Sequence, residues 1–87
     1  MEQCFLIENI EEYGKFIAYC INKDITVFRV YWDEREKGDR CYNISYSEKR
    51  CYYSSRSYYE SVGFQIFKPI FSFDEYGKVR LNYIALD

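Results

Sequence analysis

The chain has 87 residues and a formal net charge of -2. This length suits one small domain spanning residues 1–87, and the acidic balance excludes a simple basic DNA-binding protein, because phosphate neutralisation needs clustered Lys and Arg. Aromatic residues make up 22% of the sequence. Since each ring buries roughly 150–250 Å², aromatic side chains can build a core in a chain this short.

The N-terminal stretch MEQCFLIENIEE is acidic and lacks the basic and apolar regions of a secretory signal. No window of about 18 apolar residues is present, so no membrane-spanning helix is expected. These features predict a cytoplasmic protein. In that reducing compartment we expect free thiols, several of them buried, at Cys4, Cys20, Cys41 and Cys51. Without a Cys-x-x-Cys pair or any histidine, neither a metal site nor a cofactor is expected.

Residues 10–22 are predicted to form a helix. Asn9 suits the N-cap position, and Glu12, three residues later, completes a capping-box pattern. Apolar side chains then recur on one helical stripe at Ile10, Tyr13, Ile17 and Cys20. This stripe predicts a helix that packs with one face on a sheet. The preceding residues 4–7 favour either a short strand or an early helical turn.

The remainder of the first half favours strands. Residues 25–32 are β-branched and aromatic on both alternating faces, which is typical of a central strand. The charged loop at residues 33–39 is predicted to close a hairpin onto a strand over residues 40–46, which alternates cleanly. A turn at residues 47–49 returns the chain into another strand. The sequence does not decide whether residues 55–63 form a loop, a short helix or a continuation of the strand.

Residues 64–73 are predicted to form a strand that lies at an edge or is bulged at Pro69, because proline cannot donate to a ladder. Residues 74–78, with Gly77, predict a turn into a last strand over residues 79–86. The expected fold is α+β: one N-terminal helix packed on an antiparallel sheet of five to six strands.

The sequence contains few residues in patterns that could support catalysis. The absence of histidine removes the commonest general base and the Ser-His and Cys-His pairs. The four glycines are isolated, so no phosphate-binding loop is expected. Asp33, Glu34 and Glu36 lie together, but basic residues are interleaved with them, and a solvated charged loop is the preferred interpretation. We therefore expect a protein that is not an enzyme and has no catalytic residues.

Residues 50–64, RCYYSSRSYYESVGF, concentrate tyrosine, serine and arginine. Tyrosine and serine dominate antibody contact loops, and Tyr and Arg are enriched in interface hot spots. A purely structural role is the alternative, because successive strand residues point to opposite faces and half of the rings would turn inward. Carboxylates of the charged loop could approach a basic groove or stand in for phosphates. The predicted partner-binding residues are Tyr53, Arg56, Tyr58, Tyr59, Asp33, Glu34 and Glu36.

The leading hypothesis is a small non-catalytic inhibitor that occludes a protein partner, such as a nucleic-acid-processing or defence enzyme. Its profile is similar, by class only, to toxin-immunity proteins and to phage anti-defence proteins such as anti-CRISPRs, and no residue is carried over from them. One alternative is a single-stranded nucleic-acid-binding module, since residues 40–59 carry four basic residues against one acidic residue, a local net charge of +3. Another is a structural subunit or homodimer that pairs through the edge at residues 64–73.

Overall fold

A computed structural model describes residues 1–36 and 38–86, with Glu36 described by its backbone alone. The predicted helix is confirmed as α1 (Ile10–Asn22). The side chain of Asn9 caps it by accepting a 2.8 Å hydrogen bond from the backbone N–H of Glu12. The Glu12 carboxylate reaches back to the backbone N–H of Glu8 at 3.0 Å, one residue earlier than a capping box requires.

The described residues form one six-stranded sheet with the order β2-β4-β3-β1-β5-β6. The pairs β1–β5 and β2–β4 are parallel, and the other three neighbouring pairs are antiparallel. A second helix, α2, follows β4, and a short 3-10 helix precedes β3. The remaining bounds are β1 (Glu2–Leu6), β2 (Thr26–Val27), the 3-10 helix (Glu34–Glu36), β3 (Arg40–Ser45), β4 (Arg50–Ser55), α2 (Arg56–Ser61), β5 (Ile66–Phe73) and β6 (Val79–Ala85).

The α+β class is confirmed, but the sheet is mixed and not purely antiparallel. The reason lies in the two helices. A helix that crosses over the sheet brings the next strand in parallel to the strand before the helix. Helix α1 carries the chain from β1 to β2, and α2 carries it from β4 to β5. These crossovers run across the sheet in opposite directions, so the right-handedness of such units places the two helices on opposite faces.

The core consequently has two parts, one on each face of the sheet. Because successive strand residues point to opposite faces, alternate residues of each strand contribute to the two parts of the core. Under α1 the buried side chains are Phe5, Ile7, Phe16, Cys20, Ile25, Tyr42, Ile44 and Cys51. Under α2 they are Cys4, Leu6, Cys41, Tyr59 and Ile66. Within residues 1–36 and 38–86, no helix is long and apolar enough to cross a membrane.

The prediction of a central strand at residues 25–32 is wrong, as is the hairpin that was to join it to β3. Only Thr26–Val27 pairs, in parallel with β4 at one end of the sheet. The following apolar residues pack against rings of α1 and β4 or face solvent, so their β-branched and aromatic character does not build a ladder. The open question at residues 55–63 is decided in favour of a helix, which Ser55 caps by accepting from the backbone N–H of Tyr58 at 3.1 Å.

Pro69 lies inside β5, where its missing N–H costs no ladder bond. Backbone hydrogen bonds at both ends of the β5–β6 hairpin place the even-numbered residues of β5 in hydrogen-bonded pairs with β6. The nitrogen of Pro69 therefore faces the opposite side, where β1 pairs only as far as Phe67. β5 nevertheless lies between β1 and β6, and its register with β6 is continuous through Pro69, so the prediction of an edge strand or a bulge is wrong. Pro69 is accommodated because β1 does not pair with β5 beyond Phe67. Whether a second chain pairs along residues 64–73 stays a prediction.

All four cysteines are buried free thiols, as expected. They lie in two neighbouring pairs, one on each face of the sheet. A hydrogen bond with the Cys41 thiol, together with burial, raises the pKa of Cys4. The same two causes, with Cys20 as the hydrogen-bonding partner, raise the pKa of Cys51. Both effects disfavour the thiolate, the reactive form of cysteine, at Cys4 and Cys51. The hydrogen bond with Cys4 lowers the pKa of Cys41, so burial is what protects that thiol.

We expect the native protein at pH ~8 to react with a disulfide reagent at about one-hundredth of the rate of the unfolded chain, because only transient opening exposes a thiolate. The measurement is the absorbance of released thionitrobenzoate, with and without urea. The unfolded chain should release four equivalents, matching its four cysteines. A native thiol that reacts as fast as it does in urea would contradict this arrangement.

Candidate functional site

The segment at residues 28–32 leaves the sheet after β2 and presents large apolar side chains to solvent. Phe28, Val30 and Tyr31 are 60%, 69% and 59% exposed. Three exposed apolar neighbours within four positions indicate an interaction site more strongly than single scattered residues do.

Arg29 fastens this segment to the sheet. Its guanidinium carbon lies 4.2 Å from the ring centroid of Tyr31 and 4.0 Å from that of Tyr53 on β4. A cation against a ring contributes about 0.5–2 kcal/mol, and Arg29 makes two such contacts. The clamp holds the exposed Tyr31 in a fixed position.

A column of rings continues from this clamp into the core. The centroids of Tyr53 and Tyr42 are 5.0 Å apart, those of Tyr42 and Phe16 are 5.4 Å apart, and those of Phe16 and Phe5 are 6.0 Å apart. Each such pair contributes about 0.5–1.5 kcal/mol beyond the area that it buries. The exposed segment therefore rests on the buried core under α1. We refer to Phe28, Arg29, Val30, Tyr31, Trp32 and Tyr53 as the aromatic–arginine surface.

Two acidic residues of the charged loop lie next to this surface. The indole N–H of Trp32 donates a 2.6 Å hydrogen bond to the carboxylate of Glu34. Asp33 accepts two hydrogen bonds from the guanidinium of Arg35, at 3.1 and 3.0 Å. Both carboxylates are thus oriented by partners within the chain. The side chain of Glu36, the third predicted acidic residue, lies outside the described part of the structure.

The structure separates the four anchors predicted in the tyrosine-rich segment. Tyr53 faces α1 and belongs to the aromatic–arginine surface. Arg56 and Tyr58 lie on α2, on the other face of the sheet, where Arg56 pairs with Glu60 at 3.5 Å and Tyr58 is 52% exposed. Tyr59 is only 4% exposed and packs in the core under α2. The predicted residues therefore do not form one surface.

Phe28, Arg29 and Tyr31 were not among the residues predicted from the sequence, because residues 25–32 resembled a central strand. One feature could have identified them. A strand that is buried on both faces rarely carries an arginine at its centre, and Arg29 stands in the middle of this apolar run. The charge indicates that at least one face of the segment is not in the core.

Arg29→Lys is expected to lower the free energy of unfolding by about 1–2 kcal/mol, because lysine keeps the charge but lacks the planar group that contacts two rings at once. Urea titration followed by circular dichroism measures this. Arg80→Lys, the same exchange on the exposed side of β6, is the matched control and should change stability by less than ~0.5 kcal/mol. Equal losses in the two variants would show that the clamp is not stabilising.

Other parts of the surface are weaker candidates for a functional site. A cleft of about 460 Å³ between the end of α1 and β6 is lined by Lys23, Lys78, Arg80 and Asp74. The Asp74 carboxylate already accepts from two backbone N–H groups of its turn, and these contacts lower its pKa. Across the described residues, no group of three or more cysteine and carboxylate side chains could hold a metal ion.

No protein-family model, curated protein or solved structure matches the chain. Function must therefore be argued from the chemistry of the surface, because an α+β sheet alone implies none. The aromatic–arginine surface combines exposure, rigid support and hot-spot composition more fully than any other part of residues 1–36 and 38–86.

Proposed function

We propose that this protein is a small non-catalytic binding protein that occludes a protein partner through the aromatic–arginine surface. The observation that carries the proposal is the ring column, which supports an exposed apolar segment on the core through Arg29. Tyr, Trp and Arg are the residues that dominate interface hot spots. Because the anchors are ordered before binding, association requires less conformational ordering.

The chemistry of the surface indicates what a partner must supply. Phe28 and Tyr31 need an apolar pocket, and the neighbouring carboxylates of Asp33 and Glu34 favour basic groups at its rim. A nucleic-acid-processing or defence enzyme, with a basic substrate groove, is the class of target that we propose. The buried reduced thiols suit a cytoplasmic site of action.

A single-stranded nucleic-acid platform is less well supported, because a base needs an open ring face on which to stack. The Tyr53 ring is occupied by Arg29 on one side and by Tyr42, edge on, on another. The Phe28 ring stacks on Tyr52 with centroids 5.8 Å apart and 30° between the planes. The Tyr53 ring is therefore covered, and one face of the Phe28 ring is occupied.

Capture experiments with matched variants test the partner-binding proposal. The immobilised wild type, Tyr31→Ala and Tyr76→Ala are exposed to extract of the source cells, and captured proteins are compared. Tyr76 is 81% exposed in the β5–β6 turn, so its variant removes the same side chain from an unrelated surface. We expect a partner that the wild type and Tyr76→Ala retain and that Tyr31→Ala loses. The purified partner should lose activity at one equivalent of the wild type. Equal recovery by all three proteins would contradict the proposal.

A labelled single-stranded oligonucleotide provides the counter-test. At low salt we expect no binding by the wild type. Binding that weakens steeply with salt, and that is lost in Arg50→Ala combined with Arg56→Ala, would instead establish the nucleic-acid-binding module.

A further inference from the structure

A cleft on the α2 face of the sheet combines a polar floor with aromatic walls. Its volume is about 430 Å³. This lies within the range of roughly 300–1,000 Å³ that is usual for small-molecule sites. The residues that define its chemistry are Glu2, Asn43, Tyr52, Ser54, Tyr58 and Phe64.

The floor contains a buried oxygen that lacks a hydrogen-bond donor. Asn43 on β3 is only 3% exposed. Its amide nitrogen Nδ2 donates a 2.7 Å hydrogen bond to the carboxylate of Glu2. Its amide oxygen Oδ1 accepts no hydrogen bond from any residue in the described ranges. Because a buried oxygen that stays unpaired is destabilising, a donor from a bound group would stabilise it.

The neighbours of this oxygen define the kind of donor that fits. The Glu2 carboxylate beside it is a second acceptor and carries negative charge, so the site calls for a cation with several N–H groups. The rings of Tyr52, Tyr58 and Phe64 line the cleft, and ring faces attract cations. A guanidinium offers five N–H donors in a planar group that also stacks on aromatic rings.

We propose that this cleft binds the guanidinium of an arginine side chain presented by a polypeptide. Glu2 serves as its counter-ion, the Oδ1 atom of Asn43 accepts one N–H, and tyrosine rings flank its plane. Since Oδ1 is covered in the empty cleft, binding requires a small displacement of a neighbouring side chain. This site adjoins the aromatic–arginine surface, because Tyr53 also lines the cleft and Tyr52 stacks on Phe28. It does not rest on the proposed function, because Glu2 and Asn43 take no part in that surface.

The probe is N-acetyl-arginine N-methylamide, and its neutral control is the citrulline analogue, which has nearly the same shape without the charge. Titrations followed by two-dimensional NMR report binding at the side-chain amide signals of Asn43. We expect the arginine probe to bind about tenfold more tightly than the citrulline analogue, since charge-assisted hydrogen bonds are the stronger ones. Equal affinities for the two probes, or no shift at ~20 mM arginine probe, would overturn the proposal.

Glu2→Gln tests the site without disturbing the fold, because glutamine keeps an oxygen that can accept from Asn43. It should weaken binding of the arginine probe by about tenfold. Glu11→Gln makes the same charge change on the exposed side of α1 and should leave the affinity unaltered. Equal losses in both variants would show a general charge effect and sink the proposal. Tyr31→Ala should bind the probe normally, so failure at one surface is distinguishable from failure at the other.

Discussion

Phe16→Ala is expected to remove about 3–5 kcal/mol from the free energy of unfolding, the usual cost of a large cavity in a core. Phe16 is fully buried on α1, and its ring lies 6.0 Å from Phe5 and 5.4 Å from Tyr42. Alanine favours a helix, so the loss reflects packing alone. A domain of this size has only about 4–13 kcal/mol of stability, at ~0.05–0.15 kcal/mol per residue, so the variant should be partly unfolded at room temperature.

Two further variants keep this expectation testable. Phe16→Leu retains most of the apolar volume and should remain folded, with a loss of about 1–2 kcal/mol. Phe73→Ala makes the same truncation at a side chain that is 58% exposed and should cost less than ~1 kcal/mol. Urea titration of the three proteins gives the comparison. If Phe16→Ala and Phe73→Ala lose the same stability, the ring column is not the centre of the fold.

Raising the pH above about 10 is expected to destabilise the protein through its buried tyrosines. Tyr42 and Tyr59 are 2% and 4% exposed, and burial raises the pKa of both phenols. In the unfolded chain tyrosines ionise near pH ~10, so there the unfolded state releases protons that the folded state keeps. The contribution of these two phenols is therefore fully present below that pH and falls as the pH rises, and the raised pKa values of Cys4 and Cys51 add a loss that begins at about pH 8.5. At pH ~11 the loss is about 1.4 kcal/mol for each buried tyrosine, about 3 kcal/mol for the pair.

Urea titrations at pH 8, 10 and 11 measure this dependence, and single phenylalanine variants assign it. Tyr59→Phe removes one titrating phenol and should reduce the loss at pH 11 by about 1.4 kcal/mol, the share of that residue, while Tyr46, Cys4 and Cys51, whose pKa values are also raised, keep their contributions. Tyr76→Phe removes a phenol that is 81% exposed and should behave as the wild type. Identical pH dependence in Tyr59→Phe and Tyr76→Phe would contradict the assignment.

The elements that were predicted correctly depend on residues close together in sequence. Asn9 and Glu12 define the start of α1, and Gly77, with a φ angle of 79°, defines the turn between β5 and β6. The parallel pairs could not be predicted in this way, because they join segments far apart in the chain through helical crossovers. Residues 25–32 show the limit most clearly, since their strand-like composition is used mainly for side-chain packing and exposure.

The candidate surface was predictable only in part for the same reason. Alternation along β4 predicts that Tyr52 and Tyr53 face opposite sides, and the structure confirms this, with Tyr53 under α1 and Tyr52 in the α2-face cleft. The contact between Tyr53 and Arg29 depends on the parallel pairing of β2 with β4, which no local pattern reveals. The tyrosines named from the sequence therefore lie on both faces of the sheet and do not form one surface.

The most direct test of partner binding is titration calorimetry of the captured and purified partner against the wild type, Tyr31→Ala and Tyr76→Ala. We predict one binding site per chain and a loss of at least ~2 kcal/mol in binding free energy for Tyr31→Ala, about a thirtyfold weaker affinity. Tyr76→Ala should stay within about twofold of the wild type, because its side chain belongs to the β5–β6 turn. An affinity of Tyr31→Ala equal to that of the wild type would contradict the assignment of the aromatic–arginine surface as the contact.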